Sequence, residues 1–147
     1  MTGEIEVPDL DTTTVWPRLH SRAETLLLTN PGDPVGVAGL MYDLNLLILE
    51  VAELALVANS DRYAAETTYK RVFNTALDKH AATVSLVAFA KAKAELDALE
   101  AKEAWDYQRA LYHHIEDVQK ALQTKHFGLM NINKNIQSAL FDGGRRQ

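Results

Sequence analysis

Apolar residues along most of this chain recur at spacings of three and four, a pattern that predicts helices. No stretch of six residues alternates convincingly between apolar and polar positions, so the sequence indicates no strand. Residues that start or end helices divide the chain into four predicted helices, at about residues 13–28, 34–58, 62–79 and 83–140. The predicted fold class is all-α, a bundle of about four helices.

Capping and breaking residues set these limits. A hydroxyl in the run Thr12-Thr13-Thr14 is expected to cap the first helix, which Asn30-Pro31-Gly32 then ends. Asp33 followed by Pro34 is typical of an N-cap and a first helical residue. The run Asn59-Ser60-Asp61 predicts the next break, and Thr83 is expected to cap the fourth helix.

The fourth predicted helix carries two series of apolar residues, each repeating every seven positions. Interleaved, they step by four and three, which predicts a coiled-coil seam in an antiparallel hairpin with the third helix. Lys125 interrupts the seam and is expected to influence register or partner number. The sequence allows this helix to be either straight or kinked near Gly128. The seam residues are Leu111, Ile115, Val118, Leu122, Leu129, Ile132, Ile136 and Ala139.

The second predicted helix is apolar almost all round. From Leu44 to Val57, only Asn45, Glu50 and Glu53 are polar. Such a helix is either enclosed by its neighbours or covered by another subunit. Because only three other helices are available in this chain, the sequence favours partial coverage by a second copy.

The chain of 147 residues is predicted to form one helical domain, with residues 1–11 as an extended acidic arm and 143–147 as a flexible basic tail. Its composition, 47% hydrophobic and 24% charged, is that of a globular protein. With no cysteine, it offers no thiolate metal site and no cysteine nucleophile. The acidic start is unlike a signal peptide, and three acids interrupt the longest apolar stretch, so we expect a cytoplasmic protein.

Two pairs of acidic residues suggest an enzymatic alternative. Glu50 and Glu53, and likewise Glu103 and Asp106, are three residues apart on predicted helices. This arrangement resembles the all-α nucleotide pyrophosphatases of the dimeric dUTPase and MazG-like families. The resemblance implies that the four carboxylates hold Mg²⁺ for a nucleotide's phosphates. A structural role for the acids, as the solvent-facing stripe of a buried helix, is the favoured interpretation.

Histidine and basic residues suggest two further kinds of site. His113 and His114 precede two acids at helical spacing, which allows metal chelation, although ion pairing on the helix surface is favoured. Arg62, Lys70 and Arg71 are candidate contacts for single-stranded nucleic acid. The acidic net charge of −5 and the lack of a recognisable motif make this a second alternative.

Residues 64–139 resemble small helical proteins encoded by bacteriophages of actinobacteria. The segments that carry the resemblance are AETTYKRVFNTAL, TVSLVAFAKAKAELDALEAKEAW and RALYHHIEDVQKALQTKHFGLMNINKNI. The resemblance implies a phage-encoded accessory protein, located in the host cytoplasm or the virion, and brings no catalytic residues.

The favoured function is that of a non-enzymatic helical protein acting by protein–protein contacts, in assembly or as an accessory factor. Its expected partner is a second copy or another protein, with no membrane and no cofactor; Mg²⁺ belongs to the enzymatic alternative alone. The candidate interface residues are Leu44, Leu47, Ile48, Val51, Leu54, Ile115, Val118, Leu122, Leu129, Ile132 and Ile136.

Overall fold

A computed structural model describes residues 7–144 of the chain. These residues form four helices, α1 (Thr12–Leu28), α2 (Pro34–Ala81), α3 (Val87–Asp97) and α4 (Leu99–Gly144), without any strand. The predicted all-α fold class is therefore confirmed. Among the described helices, none combines the length and the apolar character that a membrane span requires. Residues 1–6 of the predicted arm and 145–147 of the predicted tail lie outside the described residues.

The N-cap of α1 is Asp11, not one of the threonine hydroxyls. Its Oδ1 accepts hydrogen bonds from the Thr13 backbone N–H at 3.0 Å and from the Thr13 hydroxyl at 2.6 Å. Because hydrogen bonding favours the ionised carboxylate, these bonds lower the pKa of Asp11. An aspartate and a threonine are both good caps, and here the carboxylate takes the position while the hydroxyl donates to it.

The predicted break at residues 59–61 is wrong, because α2 continues through it to Ala81. The Asn59 side chain does not turn back to compete for the backbone. Its Oδ1 accepts from Nε and Nη2 of Arg62 at 3.1 and 2.8 Å. Ala58 beside it is fully buried. Packing on this side of the helix therefore outweighs the modest local preference of the Asn-Ser-Asp run for a turn.

The last predicted helix is interrupted near its start instead of at Gly128. Thr83 does not cap it: its hydroxyl donates to the His80 carbonyl, and α3 begins only after Leu86. Ala98, with φ −95° and ψ 3°, separates α3 from α4. From Leu99 onwards α4 is continuous through Gly128 and reaches the predicted tail, ending at Gly144.

The chain divides into two compact units, and the first contains Leu56–His114. Here the second part of α2 runs antiparallel to the first part of α4. The ring of Tyr69 stacks on Trp105 with centroids 5.4 Å apart, and the Arg62 guanidinium lies 5.2 Å from the Tyr112 ring centroid. This unit buries mainly small side chains, which allow its helices to pack closely: Ala58, Ala76, Ala90, Ala94 and Ala98.

The second unit contains Pro8–Ala55 and residues 115–144. It consists of α1, the first part of α2 and the last part of α4, and it buries larger side chains than the first unit does. The α1 side chains Trp16 and Leu19 belong to its core. From the other two helices, the core takes Val37, Leu40, Leu44, Leu47, Val51, Leu54, Ile115, Leu122 and Leu129.

Lys125 ties two helices of this second unit together. Its Nζ donates to the Leu27 carbonyl at 2.6 Å and to the Thr29 carbonyl, and it lies 3.4 Å from Oδ1 of Asn30. These groups are at the C-terminal end of α1, where a cation is favourable. Lys125 thus interrupts the apolar seam of α4 in order to cap α1 of its own chain.

Candidate interaction face

Most of the interface residues predicted from the sequence lie in the core of the chain itself. Their side chains are already covered by the other helices of the second unit, so they are not accessible to a partner in this fold. Ile48, Val118 and Ile136 are half-buried, and Ile132 is 48% exposed. The buried members are Leu44, Leu47, Val51, Leu54, Ile115, Leu122 and Leu129.

An apolar face remains exposed on the side of α2 that points away from this core. Val35 is 82% exposed, Tyr42 66%, Leu46 41% and Leu49 58%. Together with Gly39, these residues step along the helix by four, three, four and three, so they fall on one side of it. We call Val35, Gly39, Tyr42, Leu46 and Leu49 the α2 outer face. Its spacing is that of a coiled-coil seam two heptads long.

Polar groups of α1 and α2 border the α2 outer face on one side. Arg22 of α1 forms an ion pair with Glu50, and both side chains are about half exposed. Arg22 and Asp43 also line a shallow groove that reaches Leu46. An apolar centre with a charged rim is the usual anatomy of a protein–protein contact.

The two glycines in the first turns of α2 have different surroundings. A Cβ on Gly36 would lie 2.9 Å from the Pro31 Cβ, so the fold of the chain itself requires glycine there. A Cβ on Gly39 would meet no atom of the described residues within 4 Å, apart from its own helix turn and chain neighbours. Glycine inside a helix is less stable than alanine by roughly 0.5–1 kcal/mol. Contacts within the described chain therefore do not account for glycine at position 39.

The first unit also leaves an apolar helix face exposed. Phe89, Ala92, Leu96 and Leu99 step by three, four and three along α3 and into α4. Phe89 is 61% exposed and Leu96 72%. We call these four residues the α3 outer face. A shallow groove beside it is lined by Tyr69, Glu95 and Lys102.

The four carboxylates of the enzymatic alternative are divided between the two units. Glu50 and Glu53 belong to the second unit, and Glu103 and Asp106 to the first. Glu50 is paired with Arg22, and Asp106 accepts a hydrogen bond from Arg109 at 3.0 Å. Within residues 7–144, no group of three or more histidine and acidic side chains is arranged to hold a metal ion. His113 and His114 are both exposed on α4.

The basic residues proposed for nucleic acid are largely engaged within the first unit. The Arg62 guanidinium lies 4.3 Å from the ring centroid of Tyr63 and also bonds to Asn59. Lys70 donates to Glu66 at 2.6 Å, which lowers the pKa of that carboxyl. Arg71 is exposed and lines a shallow groove with Lys79. The three side chains therefore have different environments within this unit.

Sequence reasoning missed both outer faces as distinct surfaces. The signal for the α2 outer face was present as a second heptad series through Val35, Tyr42 and Leu49, outside the series that forms the core. When one helix carries two overlapping apolar stripes, the sequence alone does not tell which stripe packs in the core and which stays exposed. That assignment requires the positions of the neighbouring helices. No protein-family model, curated protein or solved structure matches the chain.

Proposed function

We propose that this chain is a non-enzymatic helical interaction protein whose α2 outer face packs against another polypeptide. The observation that carries the proposal is the two-sided apolar character of α2. One side supplies the core of the second unit, and the opposite side exposes Val35, Tyr42, Leu46 and Leu49. A helix that is apolar on both sides is expected to be covered on both sides.

The exposed apolar side chains of the α2 outer face are large enough to contribute substantially to binding. Full burial of an aliphatic or aromatic side chain is worth about 1.5–3 kcal/mol, so the exposed parts of these four residues amount to about 4–7 kcal/mol per chain. Association costs about 4–15 kcal/mol, and the gain from burial must exceed this cost. The partner's surface must therefore also be apolar, so that its burial adds to the gain. The proposed role is thus an assembly or accessory one, in line with the resemblance to phage-encoded helical proteins.

Photo-crosslinking in the cells that make the protein tests this function. A photoreactive phenylalanine analogue replaces Leu49, and a matched control places it at Ala121, an exposed residue of α4. We expect a discrete adduct from position 49 that is absent at 121. Adding Tyr42→Asp in the centre of the face should abolish it. A chain that gives no adduct from position 49, or equal adducts from both positions, contradicts the proposal.

A further inference from the structure

We infer that the partner of the α2 outer face is a second copy of this chain, packed antiparallel so that Tyr42 lies at the two-fold axis. The inference rests on the proposed function, because it identifies what covers the same face. Three features support it: the symmetry of the face about Tyr42, the exposed glycine at position 39, and the placement of Glu53.

Three of the five residues of the α2 outer face are related by symmetry about its middle residue. Val35 and Leu49 lie seven residues before and after Tyr42, and all three are exposed apolar side chains. In an antiparallel pair centred on Tyr42, Val35 of one copy meets Leu49 of the other. A single surface that is complementary to itself in this way is what a two-fold dimer requires.

The other two residues of the face, Gly39 and Leu46, lie opposite residues beside the face in the same register. Leu46 of one copy lies opposite Ala38 of the other, and Asn45 lies opposite Gly39. The missing side chain of Gly39 provides a hole in which the partner helix approaches closely, and this accounts for a glycine that no contact within the described chain explains. A parallel pair in register instead places two Gly39 residues opposite each other and leaves a void.

Charge opposes the parallel arrangement. Glu53 continues the spacing of the α2 outer face by four residues beyond Leu49 and is exposed. In a parallel pair, the two Glu53 carboxylates would face each other in the seam, and like charges opposed in this way are destabilising. In the antiparallel pair centred on Tyr42, each Glu53 lies beyond the N-terminal end of the partner's α2, far from its own counterpart.

The exposed area sets the strength of the pair. An aromatic side chain buries about 150–250 Å² and an aliphatic one less, so the four exposed side chains present on the order of 400 Å² per copy. Two copies cover about 800 Å², and the small residues between them bring the total towards the lower end of stable interfaces, about 1,200 Å². We therefore expect a dimer that dissociates in the micromolar range and resists high salt, since its contacts are apolar.

Light scattering on the full chain gives the first test. We expect a mass of twice 16.4 kDa at high concentration, in both low and high salt. A single-chain mass at every concentration up to roughly 500 µM overturns the inference. The proposed function survives that result if the photo-crosslink from position 49 yields an adduct with a different protein, and it fails separately if there is no adduct.

Cysteine crosslinking then tests the orientation, and the chain is suited to it because it contains no cysteine. Three single-cysteine variants are oxidised, each alone and in pairwise mixtures: Tyr42→Cys, Val35→Cys and Leu49→Cys. We expect Tyr42→Cys to crosslink to itself, and Val35→Cys to crosslink to Leu49→Cys only when the two are mixed. Self-crosslinking of Val35→Cys and of Leu49→Cys indicates a parallel pair and overturns the inference while leaving the proposed function intact.

A matched pair of glycine variants tests the close approach at position 39. Gly39→Ala and Gly128→Ala each add one methyl group to an exposed helix position with open space around it. Both should raise the stability of the single chain. Only Gly39→Ala should weaken the dimer, by about tenfold or more in Kd, because the methyl group fills the hole used by the partner. An unchanged Kd for Gly39→Ala overturns the inference.

Discussion

Replacing Lys125 by methionine removes the cation that caps α1 while keeping a side chain of similar length. The last turn of α1 consists of Thr25 and three leucines, so the helix supplies no basic residue of its own at this end. Lys125 reaches across from α4 and donates to the carbonyls of Leu27 and Thr29. Methionine leaves both carbonyls without this donor.

The expected loss follows from the number and kind of these bonds. Hydrogen bonds that involve a charged group contribute about 1.5–3 kcal/mol each when shielded from water. The Leu27 contact is partly buried and the Thr29 contact is exposed, so water replaces much of the second bond. We therefore expect Lys125→Met to lower the free energy of unfolding by about 2 kcal/mol. For a chain of this size, that corresponds to a fall of about 4–8 °C in Tm.

Urea unfolding followed by circular dichroism measures this loss, and amide hydrogen exchange locates it. Exchange should accelerate most in the last turns of α1. Lys120→Met on the same helix is the matched control, because Lys120 is exposed and its ion pair with Asp117, at 3.9 Å, is a weak surface contact. This control should change the free energy of unfolding by less than about 0.5 kcal/mol. If the two variants are equally stable, or if α1 exchanges no faster in Lys125→Met, the capping argument is refuted.

Three further predictions test other parts of the structure. Leu44→Ala should lower the free energy of unfolding, measured in urea, by about 2–5 kcal/mol because Leu44 is fully buried. Leu49→Ala, the control on the exposed side of α2, should lower that of the single chain by less than about 1 kcal/mol. Equal losses would contradict the assignment of Leu44 to the core and Leu49 to the α2 outer face. Asp11→Ala should lower the urea midpoint at neutral pH. Since the folded pKa of Asp11 is lowered, its contribution is present above the unfolded pKa and fades as the pH falls through the folded one, so the variant and the parent should converge in acid; a difference that persists there would argue against the cap. His80→Ala removes the 2.7 Å contact between Nε2 and Asp97 and should lower stability by about 1 kcal/mol, with faster exchange in α3; unchanged exchange would show that the contact does not hold α3.

The sequence predicted the local features of the fold well where a single strong signal decided them. The break at Asn30-Pro31-Gly32 and the start of α2 at Pro34 agree with the structure. Proline and glycine act through the backbone itself, by removing a donor or a steric restriction, so their effect does not depend on neighbouring helices. The central line of the seam, Ile115, Leu122 and Leu129, is likewise buried as the periodicity indicates.

Weak signals failed wherever packing opposed them. The preference of Asn59 and its neighbours for a turn is a few tenths of a kcal/mol per residue, and burial of the adjoining Ala58 and Val57 outweighs it. The sequence did not separate the α2 outer face from the core for a related reason. Leu44 and Leu49 are equally apolar in sequence, and only the positions of α1 and α4 make the first a core residue while the second stays exposed.

The sequence by itself determined that this chain is helical, where α1 ends and α2 begins, and that α2 is apolar on more than one side. These properties follow from the backbone limits of proline and glycine and from the angular spacing of apolar side chains on a helix. Tertiary structure decided which side of α2 is buried, how far the helices extend, and that Lys125 caps α1. Each of these depends on contacts between residues distant in sequence, such as Lys125 and Leu27, which helical periodicity cannot encode.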